Sequence, residues 1–517
     1  MTGMMPAEDT IAAVSTPMGT GGVSMIRISG GRSFAIASAI FRSRSRNRKK
    51  REEGFNAFLS HTVGYGIIVD NFSVPEEIID EVLITKMKAP DTFTREDTVE
   101  ISCHGGYAAV SRILDIVIRN GARAAAPGEF TRRAFLNGRI DLAQAEAVID
   151  AINAGTGRSL KAAMNQLEGR LSREVRSMRG ELLDIIAGNE AVFDYPEHDI
   201  EDITGKKTYE AVKAVAARLA KLLAGYDRGR ILREGISAVI AGKPNVGKST
   251  IMNEITGLYK SIVTDMPGTT RDIIEELINF HGIPVRIMDT AGIRGGTGDE
   301  AEKIGVDRAR KAVEDADLII VVLDASTGIS AEDGELLELI EAIAARRQGG
   351  AQGAPGAQGA QGAKDAQCVQ GAQGAPGIRP VFVINKSDLA VSPGNMVKIE
   401  KELSRRVQGL GEEDIARISA VTGEGLEELE DKLKKRLLRD SAHFGEEAIL
   451  TNSRHKAALE KALNSLEAAA GAYMDGVTPD CVEIDIREAA GSLGEITGET
   501  LEEDMLDRIF SSFCIGK

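Results

Sequence analysis

The sequence predicts a multidomain chain of mixed α/β and all-α class: an α/β N-terminal domain, a discontinuous helical domain, and a doubly wound parallel-sheet domain inserted between the two helical parts. Three observations carry this. The apolar β-branched run Ile236–Ala241 feeds directly into Gly242-Lys-Pro-Asn-Val-Gly-Lys-Ser249, and the spacing of Met252 and Ile255 behind it suits a helix. Helical stripes of one character flank that stretch on both sides. Short β-branched runs with one helical pattern fill the N-terminal part. The boundaries drawn from these patterns are 1–136, 137–232, 233–440 and 441–517.

At 517 residues the chain exceeds what one core supports, and 43% apolar residues can fill several. No 18-residue apolar run and no charged-then-apolar leader occurs, so neither a membrane span nor a secretory signal is expected, and a cytoplasmic location follows. Cys103, Cys368, Cys481 and Cys514 have no C-x-x-C or zinc spacing, which argues against a disulfide framework or a structural metal. A net charge of −15 disfavours a nonspecific nucleic-acid binder while leaving room for a local basic surface.

In chain order, Thr10–Ser15 and Val23–Ile28 read as strands joined by a turn at Met18–Gly22. Ile79–Met87 and Thr98–Ser102 add strands, and Ala108–Arg119 is helical. The basic run Arg42–Arg51 reads first as a solvated loop and second as an RNA contact. Asp141 is placed to cap a helix whose Leu142, Ala145, Ile149 and Ile152 share a face. Leu160 through Ile185 forms one stripe of more than six turns, and Val212–Leu222 makes another. The pattern resumes at Leu459, Leu463, Leu466 and Ala470; these stripes are core. Residues 348–377, Ala-Gln-Gly and Ala-Pro-Gly triplets, read as a surface insertion that spares the neighbouring site.

The central stretch is a phosphate-binding loop in its required strand-to-helix context. Backbone N–H groups from Asn245 to Thr250 surround an anion, Lys248 reaches the terminal phosphates, and the Ser249 hydroxyl is a Mg²⁺ ligand. A second buried-strand pattern, Val285–Met288, ends in Asp289-Thr290-Ala291-Gly292, the D-x-x-G of GTPases. Leu318–Leu323 and Val381–Ile384 read as further parallel strands, and the latter runs into Asn385-Lys386-Ser387-Asp388. That N-K-x-D motif reads guanine, because its Asp accepts from the ring N1–H and exocyclic amine that adenine lacks. Ser419-Ala420 supplies the last expected base contact. The motif order fits a Ras-like P-loop GTPase domain, with ligands at strand C-terminal ends.

Two distant stretches narrow the function. The chain ends Arg508-Ile-Phe-Ser-Ser-Phe-Cys-Ile-Gly-Lys517, which resembles the C-terminal C-x-G-K signature of the MnmE/TrmE family of tRNA-modification GTPases. Pro127-Gly-Glu-Phe-Thr-Arg-Arg-Ala-Phe-Leu-Asn-Gly-Arg-Ile-Asp-Leu-Ala-Gln-Ala-Glu146 and Gly21–Gly30 are similar to the same family. The resemblance implies an N-terminal tetrahydrofolate-binding domain that also dimerises, and joint action with the flavoprotein MnmG, as a heterotetramer, on C5 of the wobble uridine of certain tRNAs. The group added is aminomethyl or carboxymethylaminomethyl, with its one-carbon unit from 5-formyl- or methylene-tetrahydrofolate. Matched motif to motif, the folate contacts are Arg27, Glu100, Arg139 and Lys517; the family usually has Lys where this chain has Arg139, which keeps charge but not geometry.

The resemblance also implies potassium stimulation. Asn245, Thr264, Met266 and Thr269 match a loop that cages K⁺; Asp265, Pro267, Gly268 and Thr270 complete the GTP-contacting segment, with Thr270 a second Mg²⁺ ligand. After the D-x-x-G stretch stands Ile293, where Ras-like enzymes have a water-orienting Gln. Glu302 matches the family's catalytic glutamate, and the extra residue before it leaves Glu300 as the alternative. Cys514 is open to two readings, a thiolate that attacks C6 of uridine or a packing residue beside the folate. A regulatory or ribosome-assembly GTPase switch without modification activity shares every GTPase motif; folate binding separates the two readings.

Overall fold

Alternating burial along paired strands shapes the first part of the computed structural model. It describes residues 9–194, 201–259, 275–289, 310–349, 380–389, 394–407, 409–438, 448–501, 503–513 and 516. In chain order come β1 (Ile11–Val14), β2 (Gly21–Ser29), α1 (Ser33–Ile40), β3 (Phe41–Ser43), α2 (Arg48–Glu53), β4 (Thr62–Asp70), β5 (Glu77–Met87), β6 (Thr98–Gly105), α3 (Tyr107–Arg119), β7 (Arg123–Ala124) and α4 (Glu129–Leu136). The strands form a sheet in the order β3-β4-β5-β6-β2-β1-β7, antiparallel except for β1 with β7. One face packs Ile26, Ile28, Ile84 and Ile101 against Ile36, Ile40, Ile113 and Val117 of α1 and α3.

The basic run is not a loop, as the sequence reading had it. Arg42 lies in β3, and Arg48–Glu53 form α2. Glutamates account for the order: Arg42 pairs with Glu76, Arg48 with Glu52 and Lys49 with Glu53, the last two at i,i+4 helical spacing. β2 also begins at Gly21, inside the expected turn.

Next come α5 (Leu142–Asn153), α6 (Gly157–Leu167), α7 (Arg170–Asp194), α8 (Glu201–Ala224) and α9 (Tyr226–Glu234). Asp141 and Gln144 make reciprocal side-chain to backbone bonds of 2.9 and 3.0 Å at the start of α5, a capping box with Asp as cap. The expected continuous stripe from Leu160 to Ile185 is interrupted between α6 and α7. Gly169 takes φ +77°, and the Gln144 and Gln166 amides bond the Leu167 and Ala143 carbonyls, tying α5 to the end of α6. Leu171, Val175, Met178 and Leu182 are buried, whereas Leu160 and Met164 are 44% and 41% exposed, so they are not core.

The remaining elements are β8 (Ile236–Ala241), α10 (Lys248–Leu258), β9 (Glu275–Phe280), β10 (Ile283–Asp289), β11 (Leu318–Asp324), α11 (Ala331–Gly349), β12 (Val381–Asn385), α12 (Gly394–Arg406), β13 (Ile415–Arg417), α13 (Leu426–Leu438), α14 (Ser453–Met474), α15 (Pro479–Thr497) and α16 (Glu503–Ser511). The second sheet has the order β13-β12-β11-β8-β10-β9. It is mixed rather than wholly parallel, because β9 pairs antiparallel with β10. His281 and Gly282, both at positive φ, form the two-residue turn that returns the chain beside itself, where a parallel partner would need a crossover.

The chain divides into two compact units, one of residues Met1–Ile152, Asn165–Leu219 and Ala457–Lys517, the other of Asn153–Met164 and Ala220–Lys456. In the first, Arg133, only 3% exposed, bonds Asp9 at 2.6 Å, Glu129 at 3.0 Å and Glu96 at 3.1 Å. Burial alone would raise the Asp9 and Glu129 carboxyls, but Arg123 and Arg133 outweigh it and hold both below their ordinary values of 3.8 and 4.5. Arg133→Met should therefore destabilise this unit by about 3–5 kcal/mol at neutral pH, the cost of orphaning buried charge. Depressed carboxylates stabilise above their ordinary values and lose that contribution as pH falls through the folded ones. In urea unfolding, the gap between wild type and variant should accordingly narrow below about pH 4.

Candidate functional site

In the second unit, β8 delivers the phosphate loop to the N-terminus of α10. Gly247 takes φ +98° at that junction, and a side chain there would collide with Asn385 Nδ2. The loop's shape is held from the N-K-x-D side. Asn385 Nδ2 donates to the Val246 carbonyl at 2.8 Å, and Lys386 Nζ donates to the Asn245 carbonyl at 2.7 Å. Lys386 also bonds Asp324 at 2.7 Å. Burial pushes the Asp324 carboxyl up, but Lys386 and Ser326 outweigh it and hold it below the ordinary carboxylate value. The Ala420 N–H, expected to touch the base, donates to Asn385 Oδ1 at 3.0 Å; Ser419 is buried beside it, and Asp388 is exposed.

Lys248 is 5% exposed, and its ammonium donates to the Gly242 and Lys243 carbonyls at 2.9 and 2.8 Å, across the loop it belongs to. Ser249 Oγ donates to Asp289 Oδ2 at 2.8 Å. A hydroxyl and a carboxylate at one point are hard oxygen donors, a set that fits Mg²⁺. Asn245 is exposed at φ +63°. Thr264, Asp265, Met266, Pro267, Gly268, Thr269, Thr270, Thr290, Ala291, Gly292, Glu300 and Glu302 lie outside the described residues.

Sequence reasoning missed a second grip on the loop. Lys243 Nζ reaches Thr327 Oγ1 and Asp333 Oδ2, both at 3.0 Å, and the Asp333 side chain is fully buried where it caps α11 with Ser330. The available signal was Ser330 three residues before an acidic residue at a helix start, which speaks of a cap and not of its long-range partner.

In the first unit, Arg27, Glu100 and Arg139, three of the residues expected to hold a folate, are described. The β2–β6 register sets Arg27 opposite Glu100, and their side chains pair at 2.8 Å. Arg27 Nη1 and Ser15 Oγ donate to the Gly516 carbonyl at 3.4 and 3.0 Å. Gly516 takes φ +93° and packs so closely on Val14 and Ser15 that a Cβ would meet the Ser15 Cα at 2.9 Å. Gly128 of the Pro-Gly-Glu-Phe stretch packs against the end of α16, where a Cβ would meet the Phe510 carbonyl at 2.6 Å. Cys514 and Lys517 lie outside the described residues.

Phe93, another residue the sequence reading passed over, lies beside both expected arginines: the Arg27 and Arg139 guanidiniums stand 6.0 and 4.8 Å from its ring centroid. Its signal was a lone aromatic in a polar loop. Phe93 and Arg139 line a cleft of about 650 Å³ whose other walls include Ile140, Val148, Ala151 and Leu167. Elsewhere in this unit, burial and then the Asp80 charge push the Cys103 thiol up to about 11, so it is an inert packed residue.

Two family models match in succession, the GTP-binding protein TrmE N-terminus over residues 10–139 and the MnmE helical domain over residues 142–514. The tRNA modification GTPase MnmE of Acetivibrio thermocellus is 46% identical over 516 residues, 99% of this chain and 100% of that one. The chain belongs to the MnmE/TrmE family of tRNA modification GTPases. The MnmE of Clostridioides difficile is 43% identical over 510 residues, 99% of each chain. As a member of this family, the chain is a GTPase that acts in tRNA modification.

The Lys243–Asp333 pair yields a test specific to this site. Lys243→Met leaves a fully buried carboxylate with its Ser330 bonds but no counter-charge, and should destabilise the nucleotide-binding unit by about 3 kcal/mol. Adding Asp333→Asn should recover part of that loss, and thermal unfolding of the two single variants and the double variant measures the coupling.

Proposed function

We propose that the chain is a potassium-stimulated GTPase that works as a homodimer, with MnmG in a heterotetramer, to place an aminomethyl or carboxymethylaminomethyl group on C5 of the wobble uridine of certain tRNAs. The one-carbon unit comes from 5-formyl- or methylene-tetrahydrofolate, held by Arg27, Glu100, Arg139 and Lys517. What carries the reading is convergence: in a chain of this family, Arg27 pairs with Glu100 and reaches a carbonyl 489 residues away, at Gly516. That arrangement supports one anion-binding cleft built from both ends of the chain. The domains follow as 1–136 for folate, 137–232 with 441–517 as the helical domain, and 233–440 for GTP.

In this reading Asp388 selects guanine, Lys248 meets the terminal phosphates, and Ser249 with Thr270 holds Mg²⁺. Asn245, Thr264, Met266 and Thr269 hold K⁺. The two cations, when bound, neutralise charge on the phosphates. Glu302 orients the attacking water, with Glu300 as the alternative, and Cys514 serves as nucleophile or as packing. The exposed Val63, Tyr65 and Leu83 on β4 and β5 support self-association through the N-terminal sheet. No described helix is long and apolar enough to cross a membrane, and the proposed location is the cytoplasm.

Mass spectrometry of wobble uridines from cells with and without the protein tests the reaction directly: C5-modified uridine should vanish without it, and unchanged modification would leave the GTPase-switch reading. Replacing K⁺ with Na⁺ should slow GTP turnover strongly, and Asn245→Ala should lose most of the K⁺ response while retaining nucleotide binding. Equal wild-type rates in the two salts would remove the cation cage.

A further inference from the structure

At the rim of the cleft lined by Phe93 and Arg139 stands a second arginine with no role so far. Arg95 lies in the loop that carries Phe93, and its Nη1 donates to the Asn137 carbonyl at 2.8 Å, two residues before Arg139. Asn137 returns the contact, its amide donating to the Thr94 carbonyl at 2.6 Å. The two loops are thus laced together with one guanidinium on each. The Arg139 guanidinium lies over the Phe93 ring, 4.8 Å from its centroid.

Among the described residues, no carboxylate comes within ion-pair distance of Arg95 or Arg139, whereas Arg27 and Arg133 in the same unit are paired. Partial burial first, and then the nearby Arg95 charge, push Arg139 below its ordinary value. Arg95 also sits at φ +59°, a conformation that disfavours residues other than glycine, asparagine and aspartate. Strain and repulsion at one point, next to an apolar cleft, call for a ligand with an apolar body and several negative charges at one end.

Resting on the folate reading above, we propose that Arg95 and Arg139 form a two-arginine mouth that receives the carboxylates of an oligo-γ-glutamyl tail, so that the site prefers polyglutamylated folates. A monoglutamate offers two carboxylates, and each further γ-linked residue adds one, extending along the surface from the cleft. Arg139 meets the first glutamate, common to all forms; Arg95, exposed and further out along the rim, meets the added ones. Phosphates of a bound tRNA could meet the same pair, but the apolar walls adjoining it fit a ring system better than a ribose-phosphate chain.

The test is the affinity of the full chain for 5-formyl-tetrahydrofolate as monoglutamate and as triglutamate, in wild type, Arg95→Gly and Arg95→Lys. Wild type should bind the triglutamate about 5- to 10-fold more tightly at low salt, the scale of one or two partly exposed charge-assisted bonds, and less so at high salt. Arg95→Gly, which also relieves the positive φ, should bind the monoglutamate as wild type does and lose the preference. Arg95→Lys should keep part of it. Equal wild-type affinity for the two ligands, or an equal loss for both in Arg95→Gly, overturns the proposal while leaving folate binding in place. If neither ligand binds wild type, the folate reading itself falls and this inference with it. If Arg95→Gly instead weakens tRNA binding and leaves the triglutamate preference intact, the mouth belongs to RNA phosphates and the proposal is overturned.

Discussion

The antiparallel register of β2 against β6 sets Arg27 across from Glu100, and the ion pair that meets the Gly516 carbonyl depends on it. A slip of one residue would turn both side chains to the opposite face and put Ile26 or Ile28 in their place. The register is defended by burial, since Ile26, Ile28, Val99 and Ile101 are fully enclosed on the other face. With Arg27 so placed, the Gly516 carbonyl has a donor to meet; Gly516 packs on Val14 and Ser15, and Phe510 and Phe513 pack on the Gly128 turn. Glycine stands at both contact points because the approaching backbone leaves no room for a Cβ. The sequence distance closed by these contacts is nearly the whole chain, and it makes Gly516 part of the first unit's interior.

The second unit solves a different problem, holding a loop of inward-facing N–H groups in shape. Its solution is to borrow carbonyl acceptors on the loop itself. Asn385 and Lys386 grip Val246 and Asn245 from one side, and Lys243 anchors the loop's start to Asp333 and Thr327 from another. Two non-glycine residues at positive φ, Asn245 and Lys386, sit at these contacts. The strain is the cost of a loop already close to the conformation that an anion requires, so less ordering is left for binding. Asn385 and Lys386, which stand just before Asp388, therefore also shape the loop through two short bonds.

Charge across the chain is largely settled locally. The basic run at 42–51 looks like a nucleic-acid patch in one dimension, yet Arg42 and Arg44 meet Glu76 and Glu81, and Arg48 and Lys49 meet glutamates along α2. Exposed pairs of this kind contribute little stability individually, but they lower the net field that a polyanion would feel. Arg95 and Arg139 have no such partner among the described residues, and Arg139 lines a largely apolar cleft.

By itself the sequence determined the elements whose signals are local. Strands β8, β10, β11 and β12 were legible as short apolar runs ending in motifs, because a strand buried on both faces needs continuous apolar residues and its motif follows at the next position. The Asp141 cap and the Lys248, Ser249, Asp289 and Asn385 positions were legible for the same reason. Tertiary structure decided what depends on residues far apart in the chain. The break at Gly169 is stabilised by amides reaching across from Gln144 and Gln166, and the antiparallel β9 was hidden because a strand's direction is set by its partner. Phe93 between two arginines, Lys243 on Asp333, and Gly516 on Ser15 carry no periodicity or spacing that a linear reading detects. Side-chain chemistry is local to the residue, but burial and charge pairing are properties of whatever the folded chain brings beside it.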